Sequence, residues 1–303
     1  LNAIDQSIFT SQKTENPSTK NDLTVLEEYN RGHSFLSTSA VDILSMDDGL
    51  IIENIISALN ELAALQFLGI NEREARDFII ELRSLHPPHK FTNWKLAVDN
   101  FQFAAFMMLN TTFGKSMSDV EMISTLLFLL SLYCDPPSLI NNAKKDLIPM
   151  KRTRFTLETS GMFSTLSSFF TAYSWCKVQI FKTLPVEDQM NIWNTIDELE
   201  FSGTIDSFLG APPALLLCCV ARMSYMMRET GVTIKWFNKK IEEEMPPEIL
   251  DEIDEIKRFQ LDYESEAMIN PMMEEAIKLD PNISSLLERY QSNCKSIIGK
   301  KTL

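Results

Sequence analysis

Apolar residues in this chain recur at three- and four-residue spacing almost from end to end, and nowhere do they alternate in strand fashion. Ile51, Ile55, Ile56, Leu59, Leu62, Ala63 and Phe67 make one such stripe. Ala75, Phe78, Ile79 and Leu82 make the next, and Trp94, Ala97, Val98, Phe101, Ala104, Ala105 and Met108 a third. A 3.6-residue period aligns these positions on one helical face, while a strand needs a period of two. The pattern predicts an all-α fold without a sheet: an irregular bundle or α-solenoid of antiparallel helices. No repeat of fixed length is present, which argues against a regular helical-repeat array.

Local signals place the helix ends. Asp47 and Asp48 read as a cap. Gly69 is placed to end a helix, and Asn71 to cap the next with Glu72 and Glu74 in its first turn. Ser118 with Glu121 three residues on reads as a capping box ahead of an almost wholly apolar helix through Leu132. Pro185-Val186-Glu187-Asp188 is a further start, followed by Ile192, Trp193, Ile196 and Leu199. A helix is expected over Ala214–Glu229, an acidic amphipathic one from Pro246 to Ala267, and two more from Pro271 and from Ile283 to Ile298. The domain reading is a polar lead-in at 1–30 with a short helix near Leu23–Tyr29, a helical core at 31–240, and acidic C-terminal helices at 241–303 packing on that core. The stretch 138–160 reads as loop, and Ser160–Lys182 as helix again.

Composition narrows the function. A hydrophobic share of 45% is ample for a core in 303 residues. The net charge of −14 disfavours direct nucleic-acid contact, and the basic cluster Lys144, Lys145, Lys151, Arg152 and Arg154 reads as a solvated loop. Cys134, Cys176, Cys218, Cys219 and Cys294 are odd in number and scattered, as expected of reduced thiols. No apolar run is long enough to span a bilayer. The start at Leu1 reads as a chain cut from a longer protein.

No reactive motif stands out. His86 and His89 flank Pro87-Pro88 and read as an exposed turn rather than a metal site. Gly114-Lys115-Ser116 lacks the rest of a phosphate loop, and Ser207 sits in no nucleophile elbow. Asp251, Asp254 and Glu255 have no second acidic cluster to make an isoprenoid-type magnesium site. The expectation is a chain that is not an enzyme, with no cofactor and no metal of its own.

The segment Phe208–Arg222 carries the most specific pattern. Gly210 suits a backbone conformation closed to other residues, and Pro212 and Pro213 suit a turn and a first helical position. Leu215 to Ala221 then form a helix apolar on nearly every face. This run, with Gly210, Pro212, Pro213, Leu215 and Arg222, resembles a helix start in the regulatory domain of fungal zinc-cluster transcription factors. Ile55–Phe67, Trp94–Leu109 and Met117–Leu130 resemble earlier helices of that family, in the right order across residues 50–235. The tryptophan-x-x-histidine segment usual there is missing from Cys134–Arg154.

The resemblance implies a nuclear regulatory and dimerisation domain that controls activation allosterically, working as a homodimer with transcriptional coregulators. Zinc is then expected only in a DNA-binding region outside this chain. It also implies a small apolar effector such as a sterol. Phe163, Phe169, Phe170, Tyr173 and Trp175, with Cys218, Met223, Met226 and Met227, are the expected pocket. The alternative is a helical scaffold that gathers protein partners in a non-transcriptional complex.

Overall fold

The computed structural model describes residues 35–134, 179–199, 210–244 and 269–298. Among these no strand occurs, and the chain is all-α. In chain order the helices are α1 (Asp48–Glu61), α2 (Ala64–Leu68), α3 (Glu72–Ser84), α4 (Trp94–Asn110), α5 (Asp119–Ser131), α6 (Val186–Leu199), α7 (Pro213–Arg222), α8 (Thr230–Glu244), α9 (Asn270–Leu279) and α10 (Ser284–Ile298).

The helix starts follow from their caps. Asp47 accepts from the Gly49 amide at 2.8 Å. Asn71 and Glu74 form a reciprocal capping box on α3, as Ser118 and Glu121 do on α5. Gly69 closes α2 at φ +63°, and Pro212 and Pro213 open α7 after Gly210 at φ +70°. Asp47, Asn71 and Ser118 satisfy amides that a helix leaves without an internal partner.

The centre is α4 beside α5, with α6 and α7 packed against them. Phe101, Phe103, Ala104, Phe128, Leu129 and Leu130 have no solvent exposure, which is why both helices are apolar all round rather than striped. One continuous apolar cluster runs from Phe35 to Tyr290. α9 packs on α7, and α10 on α8 and on the 3₁₀ turn Ser224–Met227. The acidic stretch 246–267, the Leu23–Tyr29 helix, the loop 138–160, the basic cluster of 144–154 and the helix expected at 160–178 lie outside the described residues.

The expected helix Ala214–Glu229 is not one helix. α7 stops at Arg222, Ser224–Met227 form the 3₁₀ turn, and α8 starts at Thr230. The physical reason lies on α4. Ser224 donates to Asp99 Oδ2 and the Arg228 Nε to Asp99 Oδ1 at 3.0 Å, so both ends of the turn are tied to one buried carboxylate. The carbonyls freed by the break are taken up by Asn293, whose Nδ2 donates to Met226 O and Arg228 O, each at 2.9 Å.

Candidate functional site

Arg222 ends α7, and its position follows from helical spacing: Cys218 and Cys219 lie one turn back on the same side. The turn after α5 brings Tyr133 to the same place, and Asn100 reaches it from the middle of α4. Arg222 and Tyr133 are half-buried and Asn100 fully buried. Tyr133 holds φ +71°, a conformation that costs a side-chain-bearing residue about 1–2 kcal/mol and persists only where its surroundings impose it.

Among the described residues, burial and hydrogen bonding set the charges at this site. Burial works against the Arg222 cation, while the Tyr133 phenol and the two thiols favour it, and it stays fully protonated. Burial pushes the Tyr133 phenol up, past the opposing pull of Arg222. Burial likewise pushes the Cys219 thiol up to about 11 and the Cys218 thiol further. All three neighbours are therefore neutral near pH 7. Among the described residues no carboxylate faces Arg222. A guanidinium offers five N–H donors in a planar fork, and removing it from water without a counter-charge costs several kcal/mol. A planar fork of this kind can hold an anion that accepts two of those donors side by side.

Behind the guanidinium a polar thread runs through the core. Ser224 Oγ has one proton, which goes to Asp99. The Asn100 amide lies 3.3 Å from that same oxygen and also hydrogen-bonds the Tyr133 phenol, a contact that favours the ionised form of the phenol. Asp99 in turn holds Arg228, which also donates to Ser39 O and, at 2.7 Å, to Gln102 Oε1. Burial pushes the Asp99 carboxyl up against the pull of Arg228. Sequence reasoning missed Asp99, Asn100 and Gln102; the available signal was three polar residues within the otherwise apolar stretch Leu96–Leu109 of α4.

The expected apolar pocket divides differently. Cys218, Met226 and Met227 are core, with 1%, 0% and 0% exposure, and Met223 caps α7 half-buried. Phe163, Phe169, Phe170, Tyr173 and Trp175 lie outside the described residues. Of the helix-start residues, Gly210, Pro212, Pro213 and Leu215 set the entry to α7 and only Arg222 reaches the site.

The His86–His89 turn also differs from expectation. His89 is exposed, but His86 is half-buried, with Nδ1 3.0 Å from Leu82 O and Nε2 3.0 Å from Leu132 O. It borders a groove of about 550 Å³ also lined by Asp48, Arg83, His89, Asn93 and Lys95. Among the described residues no three His, Cys, Asp or Glu side chains gather to hold a metal ion. Nor is any described helix long and apolar enough to cross a membrane.

No family model matches this sequence, and no curated protein matches it. Solved structures do. The chain is similar to the phosphodiesterase domain of the Salpingoeca rosetta rhodopsin phosphodiesterase, at 15% identity and a TM-score of 0.63, over 90% of this chain and 95% of that one. A second structure of the phosphodiesterase domain from the same choanoflagellate fusion protein gives 14% identity and a TM-score of 0.64, over 90% and 98%. At this identity the likeness is one of fold. It corrects the expectation that the chain is not an enzyme: its helical body is one on which phosphodiesterase domains are built. The missing nucleophile elbow and phosphate loop excluded only chemistry written in contiguous motifs, and a site assembled from separate helices leaves no such mark.

Proposed function

We propose that this chain recognises a phosphodiester-bearing ligand, with Arg222 and Tyr133 as its anchor. The carrying observation is the half-buried Arg222 guanidinium with no carboxylate opposite it among the described residues. A phosphodiester presents two non-bridging oxygens that match the guanidinium fork, and the Tyr133 hydroxyl supplies a further donor. The fold shared with phosphodiesterase domains favours this class of anion over a carboxylate.

The regulatory reading keeps a place in this form, as a domain that responds to a bound ligand. Its attribution to a transcription factor rests on the resemblance of the Gly210–Arg222 helix start. The local geometry of that start, a positive-φ glycine and a proline at the first helical position, also serves simply to begin a buried helix.

The test is calorimetric titration of the purified chain with 3′,5′-cyclic nucleotides and bis(p-nitrophenyl) phosphate, together with release of p-nitrophenolate from the latter. Saturable binding that Arg222→Met abolishes supports the reading, and nitrophenolate release lost in the same variant extends it to turnover. Binding unaffected by Arg222→Met, or no binding of any phosphodiester, overturns it.

A further inference from the structure

Both ring nitrogens of His86 face carbonyl oxygens at hydrogen-bonding distance, Nδ1 to Leu82 O and Nε2 to Leu132 O, each at 3.0 Å. A neutral imidazole carries one N–H and one lone pair, so it can satisfy only one of these contacts and opposes lone pair to lone pair at the other. We infer that His86 is an imidazolium in the folded chain, a cationic staple across two helix C-termini whose charge holds the turn that carries Tyr133.

The two acceptors are of the right kind. Leu82 lies in the last turn of α3, and Leu132 is the C-cap residue of α5. The Leu82 carbonyl accepts from the Leu85 amide at 3.1 Å and keeps a second lone pair for the ring, and both carbonyls lie at the negative end of a helix dipole, which favours a cation. Leu132 precedes Tyr133 directly, so the Nε2 contact fixes the peptide that must turn for Tyr133 to reach φ +71°. The Trp94 ring stands edge-on to the imidazole with centroids 5.2 Å apart, which fixes the ring plane.

The titratable and charged groups around the ring, among the described residues, come from each element packed on it. The Cys134 thiol, from the same turn as Tyr133, lies 3.5 Å from Nδ1 and 3.7 Å from Nε2. Arg83 on α3 is paired with Asp48 from α1, and Lys95 on α4 donates to Leu44 O and Met46 O at 2.8 and 2.9 Å. His89 lies exposed across the Pro87-Pro88 turn. The two cations oppose a third charge, but both are already engaged, whereas the two carbonyls contact the ring itself.

The sign follows. A histidine that gains acceptors for both N–H groups on folding contributes stability that is fully present below its ordinary titration near about pH 6.5. That contribution is lost as pH rises through its folded titration point. The staple stands without any ligand; its link to ligand affinity rests on the Arg222 reading.

The experiment is a ring-nitrogen NMR titration of the ¹⁵N-labelled full chain, with amide exchange read in parallel. At about pH 7.5, where an unperturbed histidine is about nine-tenths neutral, His86 is expected to show two protonated nitrogens. As His86 loses its proton, exchange of the Leu132 and Cys134 amides should rise about tenfold beyond the intrinsic pH effect, a loss of about 1.4 kcal/mol of protection. In His86→Gln that step should vanish. A single protonated nitrogen on His86 at pH 7.5, or a titration that leaves the turn unchanged, overturns the inference. If His86→Gln does not fold, the wild-type titration still decides. A confirmed staple with no pH effect on phosphodiester binding would count against the Arg222 reading alone.

Discussion

Arg228 and Asp99 form an ion pair with neither side chain exposed, the guanidinium Nε donating to the carboxylate at 3.0 Å. They lie 129 residues apart in sequence. Their contact joins α4, the 3₁₀ turn after α7 and, through Ser39 O, the chain entering α1. Removing one partner strands a buried charge, which costs about 3–5 kcal/mol, whereas a well-packed apolar pair is far less damaging. Asp99→Leu and Arg228→Met are therefore each expected to lower urea-unfolding stability by that amount. The double variant should recover most of the loss. An additive double variant would show that the pair acts through packing alone.

Two glycines with the same backbone conformation should respond differently to alanine. Gly69 and Gly210 have φ +63° and +70°. A Cβ on Gly69 would stand 2.5 Å from Thr183 Oγ1, while nothing lies within 4 Å of one on Gly210. Gly210→Ala should cost the conformational strain alone, about 1–2 kcal/mol. Gly69→Ala should cost more, because Thr183 donates to Leu68 O at 2.5 Å and is not free to retreat. Equal losses in thermal unfolding would contradict this.

The capping boxes give a smaller effect. Asn71→Ala and Ser118→Ala each remove one side-chain acceptor from the first turn of a helix, and each should cost about 1 kcal/mol. The two sites share no partner, so denaturant midpoints should show additive losses.

Acid should loosen two long-range contacts. Burial alone would raise the Glu243 carboxyl. Hydrogen bonds from the Thr92 hydroxyl and the Phe91 and Thr92 amides outweigh that and hold it below the ordinary range. Asp280 is held down by the Asn282 amide first and the Thr112 amide second. Depressed carboxylates contribute stability that is fully present above their unfolded values, about 4.3 for Glu and 3.9 for Asp, and lost as pH falls through the folded values. Glu243→Gln should therefore lower stability at pH 7 and flatten the acid limb of the stability curve. An unchanged acid limb would contradict this.

Much of the fold was legible because its signals are local. Asn71 with Glu74, Ser118 with Glu121, and Pro212 with Pro213 each mark a helix start within four residues. The break after Arg222 was not legible, because Ser224 and Arg228 answer to Asp99, more than a hundred residues away. α8 was readable and went unread: Val232, Trp236, Phe237 and Ile241 keep helical spacing and are buried, beneath a run of charged residues. At the candidate site Arg222 was picked out as part of a helix start. Its surroundings, Tyr133 and Asn100, are supplied only by the packing of α4 and α5 beside α7. Likewise, the His86 ring contacts depend on Leu132, 46 residues on.

The central claim is that the Arg222 guanidinium is the anchor for a phosphodiester. The most direct measurement follows the Arg222 Nε–H resonance of the ¹⁵N-labelled chain during titration with bis(p-nitrophenyl) phosphate, with Arg222→Met to fix the assignment. The account predicts a saturable shift of that resonance and of the Tyr133 amide, no binding by Arg222→Met, and a variant at least as stable as the parent because a half-buried cation with no carboxylate opposite it among the described residues has gone. An Arg222 resonance that stays fixed up to about 10 mM ligand, weaker than about −3 kcal/mol of binding, would contradict it.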